Sequence, residues 1–298
     1  MRRDFRAMNS DIELMCCAAD ADRRLDRAET WVTAFEQRYS RFRVLSELSR
    51  LNASAGRPFK ASLGLYRLVS LGLDLAQRSG GLFDPTVLSQ LVSAGYDRSF
   101  ELLQTQDVSR SRQAVPRASW RDVVLDPKAR NILLPAGCGI DLGGIGKGFA
   151  VDRVSTILGT PSMANGGGDI YAAGRPPDDS AWRVGVADPF QPARDLIVVR
   201  VIDRGVATSS SLKRSWRSGG LALHHLIDPR TGRPSDSDAV QVTVVAPSAL
   251  LADYHAKVAL LRGFEAGLVY LTRQPETEGL LVRADGAVEQ TPGLSIYF

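Results

Sequence analysis

Lys147 sits in a stretch, Gly139 to Val154, that reads GIDLGGIGKGFAVDRV and also carries Asp141 and the Gly143–Gly144 pair. An apolar lead-in at Ile132 to Leu134 precedes it, and Ile145, Phe149, Val151, Val154, Ile157 and Leu158 follow at roughly helical spacing. The pattern predicts a strand, a glycine turn and a helix N-terminus. Such a terminus offers unpaired NH groups and the positive end of the helix dipole to an anion, and a lysine adds a mobile charge, so phosphate is the expected guest. Two familiar phosphate motifs fail on spacing. A P-loop needs glycine where Asp141 stands and Ser or Thr where Gly148 stands. A dinucleotide glycine motif begun at Gly144 and Gly146 needs a third glycine at Phe149. Taken alone, the stretch fits a structural glycine turn at least as well.

Further candidates lie elsewhere. Gly166, Gly167 and Gly168 precede Asp169 and allow either a close ligand or a plain turn. Thr208, Ser209, Ser210 and Ser211 offer hydroxyls beside Lys213 and Arg214. Asp84 precedes Pro85, a pairing that usually forms a turn. There are three histidines: His224 and His225, which a strand would turn to opposite faces, and His255 on a predicted helix. Asp253 and Lys257, four apart, share a helix face, and spacing favours an exposed ion pair over a carboxylate aimed at a divalent metal.

The elements that must position these residues fall mainly as helices in the first half of the chain and as strands in the second, with one strongly signalled late helix. Leu25, Ala28, Val32, Phe35 and Tyr39 mark a helix, Ser62 caps a second, and Ser248 caps a third that stops at Gly263. Ile12 to Ala18, Trp182 to Val186, Leu196 to Ile202 and VQVTVVAP read as strands. Val123 to Leu125 with Ile132 to Leu134, and the segments flanking Ala284 to Gly286, read as hairpins. Residues 104–118 read as a surface loop. No fixed-period repeat and no flexible linker appears, so the expected class is α+β in one integrated domain of two lobes.

Composition is that of an ordinary globular protein, 44% hydrophobic and 23% charged over 298 residues. A net charge of +4 from 37 basic and 33 acidic residues suits an anionic ligand without requiring nucleic acid. Three cysteines with no CxxC pair point to a reducing compartment, and the N-terminus reads as neither signal peptide nor membrane span, so a cytoplasmic protein is expected.

Several segments together carry a resemblance. DLGGIGKGFAVD, NGGGDI, GVATSSS, HLIDPRTGRP and VTVVAPSALLADYHAK occur in that order, with FRAMNSDIEL, RYSRFRVLSELSRLN and GGLFDPTV upstream. Over nearly the whole chain they resemble the ApbE-type FAD:protein FMN transferases. The resemblance implies a single two-lobed, T-fold-like α+β domain over residues 1–298, with mixed and antiparallel sheets and packed helices. It implies transfer of the FMN part of FAD to a threonine hydroxyl of an acceptor flavoprotein, with AMP released and Mg2+ assisting. By the same resemblance Asp84, Lys147, Asp169, Thr208, Ser209 and His225 match positions around FAD, with Met8 and Asn165 as further candidates. Asp253 and the carbonyl of Gly144 match metal-contacting positions, and His225, Lys147 and Asp253 would carry the chemistry. Neither nucleic acid nor direct membrane insertion is implied. One departure stands out: the family's commoner pattern has threonine where this chain has Lys257, and an ammonium has no lone pair for a metal. An FAD pyrophosphatase and a non-catalytic FAD-binding protein without metal are the alternatives that the same residues allow.

Overall fold

The computed structural model describes residues 1–98, 100, 119–178, 180–213, 215–218 and 221–298. The loop expected at 104–118 lies outside them, as does Arg214. The chain divides into two compact units, Met1–Ala34 with Ile145–Lys213 and Ser237–Phe298, and Phe35–Gly144 with Arg214–Asp236. The architecture is mixed α+β with antiparallel sheets, in agreement with the expected class.

The first unit is built on an eight-stranded sheet. From edge to edge it runs through Arg2–Ala7, Ser10–Cys16, Ser162–Gly166, Ile170–Ala173, Arg204–Ser210, Ala239–Ala246, Glu278–Arg283 and Val288–Gln290. Every neighbouring pair is antiparallel. Ala239–Ala246 is buried at every position, so both faces of the sheet are covered there, and its nearly continuous apolar run, interrupted by Gln241 and Thr243, is the sequence mark of that. Leu25, Ala28 and Val32 of the helix Ala21–Tyr39, with Val151, Val154 and Leu158 of the helix Gly146–Leu158, close one core over Ile12, Leu14 and Ala164. A second core gathers Val184, Val186, Val199 and Val201 of the ribbon Trp182–Ala187 and Asp195–Val201 against Val206, Val245 and Val282. The helix Ala249–Arg262 is buried on most of its surface, and a further helix, Phe264–Thr272, follows Gly263 directly.

In the second unit the helices Glu47–Ala53 and Leu63–Arg78 begin at Ser46 and Ser62, whose hydroxyls accept from Ser49 N and Leu65 N. The expected hairpin is present as Val124–Asp126 and Asn131–Leu133, with Pro58–Lys60 added as a third strand. Leu221–His224 pairs with Ser215–Ser218, and Ile227–Asp228 pairs with Arg233–Pro234.

Candidate active site

Within the first unit the glycine turn places Lys147 in the first turn of Gly146–Leu158, as its sequence predicts. Lys147 Nζ donates to Asp169 Oδ2, joining the two sequence candidates in an ion pair. Asp169 stands just ahead of the strand Ile170–Ala173 and is buried. Gly167 and Gly168 have φ of 71° and 97°, so the turn itself requires them, and no ligand has to be invoked for their presence.

On Ala249–Arg262, Asp253 Oδ1 lies 3.7 Å from Lys257 Nζ, with the side chains 8% and 15% exposed. The ion pair is therefore real but not the exposed one expected: the helix is apolar nearly all round, so its one charged face is enclosed as well. Asp253 Oδ2 is buried and has no hydrogen-bond partner. Asp169 feels this neighbourhood. Burial first, then the charge of Asp253, pushes its carboxyl up to about 6 from 3.8, against the opposing pull of Lys147 and Lys257. Two carboxylates and two ammonium groups thus act on one another in a single cluster.

Linkage gives this a sign. Between 3.8 and about 6 the folded protein holds a proton on Asp169 that the unfolded chain has released. The folded state therefore loses stability from this group as pH rises through that window. Asp169→Asn, neutral throughout, lacks the decline. Urea unfolding from about pH 4 to about pH 7 is expected to show the variant gaining on the parent as pH rises, and parallel profiles would contradict the assignment.

The Asp253 helix is held to the Lys147 helix at its first turn. Asp152 Oδ1 accepts from Ala249 N at 2.7 Å and Oδ2 from Leu250 N at 3.0 Å, while Ser248 Oγ accepts from Leu251 N at 3.1 Å. A Cβ on Gly148 would lie 2.7 Å from Ala249 O and Leu250 Cα, so only glycine lets the helices approach this closely. Asp152 thus places a negative charge on the helix N-terminus, where the dipole favours it. It was not among the sequence candidates.

The remaining first-unit candidates are spread along the sheet. Thr208 Oγ1 lies 2.8 Å from Thr243 Oγ1 across the Arg204–Ser210 and Ala239–Ala246 pair, while the next residue, Ser209, is buried. Asn165 Nδ2 donates to Glu13 Oε2 at 3.2 Å, and its Oδ1 accepts from Gly168 N at 2.8 Å, fixing the glycine turn. Met8, with φ of 52°, occupies the turn between the first two strands and packs on the core.

Asp84, Gly144 and His225 belong to the second unit. Asp84 Oδ1 accepts from Thr86 N at 2.8 Å and Thr86 Oγ1 at 2.6 Å, and burial raises its carboxyl above the ordinary value in spite of these bonds. The strand Leu221–His224 ends before His225, so the alternation expected of two strand residues does not apply: His224 Nε2 meets Ser235 O at 2.9 Å, and burial lowers its imidazole, while His225 follows the strand, and both are half-buried. Sequence reasoning missed Arg41. Its Nε lies 2.8 Å from Asp141 Oδ2, with the side chains 7% and 12% exposed, and its guanidinium lies over Phe42 and Tyr96 at 4.1 and 4.7 Å. Tyr96 stacks on Trp216 at 5.5 Å. The mixture of arginine and aromatics in RYSRFR was the available signal, but nothing in it names Asp141.

His255, expected on a surface or in a satisfied core, is buried with Nδ1 2.7 Å from Tyr270 Oη, which is the core role. Among the described residues there is no group of three or more His, Cys, Asp or Glu side chains placed to hold a metal, and no helix long and apolar enough to cross a membrane.

Comparison with known proteins gives one consistent result. The model of the ApbE family matches residues 8–281. An FAD:protein FMN transferase of Treponema pallidum (strain Nichols) is 31% identical over 300 residues, covering 93% of this chain and 82% of that protein. One from Escherichia coli (strain K12) is 27% identical over 271 residues, covering 88% and 74%. Among solved structures, the ApbE protein of Thermotoga maritima superposes with a TM-score of 0.90 at 22% identity, covering 100% of this chain and 98% of that one. The flavin transferase ApbE from Vibrio cholerae gives 0.84 at 23%, covering 100% and 99%.

Proposed function

The chain belongs to the ApbE family, and we propose that it is an FAD:protein FMN transferase whose residues 1–298 act as one catalytic domain. In the proposed reaction the hydroxyl of an acceptor flavoprotein's threonine attacks the FMN phosphorus of FAD. The new bond is threonine Oγ to phosphorus, and the bond from that phosphorus to the bridging oxygen breaks. AMP leaves with the electron pair, and the hydroxyl proton passes to a base. The observation that supports the reading best is Lys147, paired with buried Asp169 at a helix N-terminus beside Asp253 and Lys257. Such a terminus with a lysine suits the oxygens of a pyrophosphate, and fixed donors there stabilise charge developing on the leaving phosphate.

In this reading Asp169 orients Lys147, while Thr208, Ser209, Asn165, Met8 and Asp84 contribute to holding FAD. His225 accepts the threonine proton as general base. His225→Gln is then expected to lower transfer by about a hundredfold to ten-thousandfold, while FAD binding measured by flavin fluorescence persists. Transfer at the parent rate would assign the base elsewhere. The cysteine usage that points to a reducing compartment also leads us to place the reaction in the cytoplasm.

Magnesium is the other component that the resemblance implies, and the donor set can be tested against it. The ion takes near-octahedral oxygen ligands and is usually held by one or two carboxylates with waters and substrate phosphates. Here Asp169 is engaged by Lys147, and Asp253 Oδ1 faces the Lys257 ammonium, leaving Asp253 Oδ2 as the open carboxylate oxygen of the cluster. An ammonium offers no lone pair and repels a dication. These residues do not fit a resident magnesium, and the proposed reaction balances without one.

The test is incubation of the purified protein with FAD and a threonine-containing acceptor domain, followed by mass spectrometry of all products. FMN on the acceptor with AMP released is the expected result. Free FMN and AMP with an unmodified acceptor would replace transfer by hydrolysis. Intact bound FAD would leave a carrier, and no FAD binding would overturn the reading entirely.

A further inference from the structure

Lys257 is set by its helix one turn beyond Asp253, on the same face, and is largely enclosed. A long cationic side chain is rarely kept at such a place unless its charge is matched. The separation from Asp253 is 3.7 Å, an ion pair longer than a hydrogen bond. The charge count of the cluster is informative. Asp169 and Asp253 contribute two negative charges, Lys147 and Lys257 two positive ones, and the other three act on the buried Asp169 carboxyl. With a neutral residue at 257 the cluster would carry a net negative charge and would need an added cation before it could accept a pyrophosphate. With lysine it is balanced by the chain itself.

Asp253 Oδ2 points the same way. A buried carboxylate oxygen without a donor is unfavourable by about 1–3 kcal/mol, and this one has no partner. A hydroxyl donor satisfies it without adding charge, whereas a dication would be brought up against two ammonium groups.

We propose that the Lys257 ammonium is the fixed countercation of the FAD pyrophosphate, so that FAD binding and FMN transfer by this chain proceed without bound magnesium. The proposal rests on the transferase reading above. Lys257 keeps its proton throughout: the threonine proton goes to the base, and the electron pair of the broken phosphorus–oxygen bond goes to AMP. A charge already in position needs no recruitment from solution and little reorganisation during the reaction, which is where preorganised groups gain their effect.

Protein stripped with EDTA is compared with protein in millimolar magnesium chloride, by FMN transfer, by FAD affinity from flavin fluorescence, and by calorimetric titration of magnesium chloride into the FAD complex. The wild type is expected to transfer FMN and bind FAD equally in both conditions and to show no magnesium binding. Lys257→Met should weaken FAD about tenfold or more, equivalent to about 1.4 kcal/mol, and reduce transfer by about a hundredfold. Lys257→Thr should bind magnesium and transfer only when it is present. Transfer by the wild type that EDTA abolishes and magnesium restores would overturn the proposal, as would tight magnesium binding by the wild-type complex. If no transfer occurs under any condition, the transferase reading fails instead. The FAD arm then still decides: an affinity insensitive to magnesium and weakened by Lys257→Met upholds the countercation, and one unmoved by that substitution removes it.

Discussion

Gly205→Ala is expected to unseat the helix that carries Asp253 and Lys257, with a loss of about 3 kcal/mol of stability or more. Gly205 lies in the strand Arg204–Ser210, opposite Ala246 on one side and Tyr171 on the other. A Cβ there would fall on Ser248 C and O and on Ala249 N, the backbone at the start of Ala249–Arg262. Those atoms cannot swing away as a side-chain end can. They are also held by Asp152 through Ala249 N and Leu250 N, and the helix Gly146–Leu158 packs so closely on them that a Cβ on Gly148 would lie 2.7 Å from Ala249 O. The sheet cannot yield without breaking its own hydrogen bonds, so the helix must shift or the domain must lose stability. Gly146→Ala supplies the contrast. Its Cβ would meet nothing within 4 Å, so the same substitution should be neutral or stabilise by up to about 1 kcal/mol through the unfolded chain. Urea unfolding of both variants measures the difference. Equal midpoints for Gly205→Ala and the parent would show that the helix is not wedged where the strand passes it.

The helix start was legible because its signals are local. Ser248 precedes an apolar run and does cap it, and the four-residue spacing of Asp253 and Lys257 requires a shared face. What that face meets is set by segments far away in sequence, and so the pair was expected to be exposed when it is enclosed. The same limit hid Asp152. A lone aspartate within FAVDRV is indistinguishable from any solvated helix residue until another helix brings its first NH groups to it. The edge strand Arg2–Ala7 was missed because RRDFRA carries charge at most positions, and of its three covered residues, Arg3, Phe5 and Ala7, the first is charged, leaving too short an apolar alternation to mark a strand. Arg41 and Asp141 pair across a distance in sequence that no periodicity spans. The ion pair of Lys147 and Asp169 is of that kind too. Each residue was singled out on its own glycine-rich turn, but their union required the sheet to bring the turns together, and the resemblance supplied what spacing could not.

Lys147→Met should produce a large functional loss, and its stability cost should depend on pH. For transfer, the substitution removes a cation from the helix N-terminus proposed to hold the pyrophosphate, and loss of one such group lowers turnover by about a hundredfold to a thousandfold. For stability, it leaves Asp169 buried without its ammonium partner. Breaking a buried pair from one side generally costs about 3–5 kcal/mol. Asp169 can avoid most of that by holding a proton, since burial and Asp253 already push its carboxyl up to about 6 and Lys147 is the leading opposing influence. Without Lys147 the carboxyl moves higher still. At a pH well below 6 both proteins have a neutral Asp169, and the variant should unfold close to the parent. As pH rises, the parent ionises Asp169 against Lys147 while the variant must either retain a proton or bury a lone charge, so the gap widens and is greatest in mild alkali. Thermal unfolding of the two proteins across this range tests the pairing independently of any reaction. A gap that stays constant with pH would mean that Asp169 does not depend on Lys147, and the proposed phosphate site would then lose the contact that orients its cation.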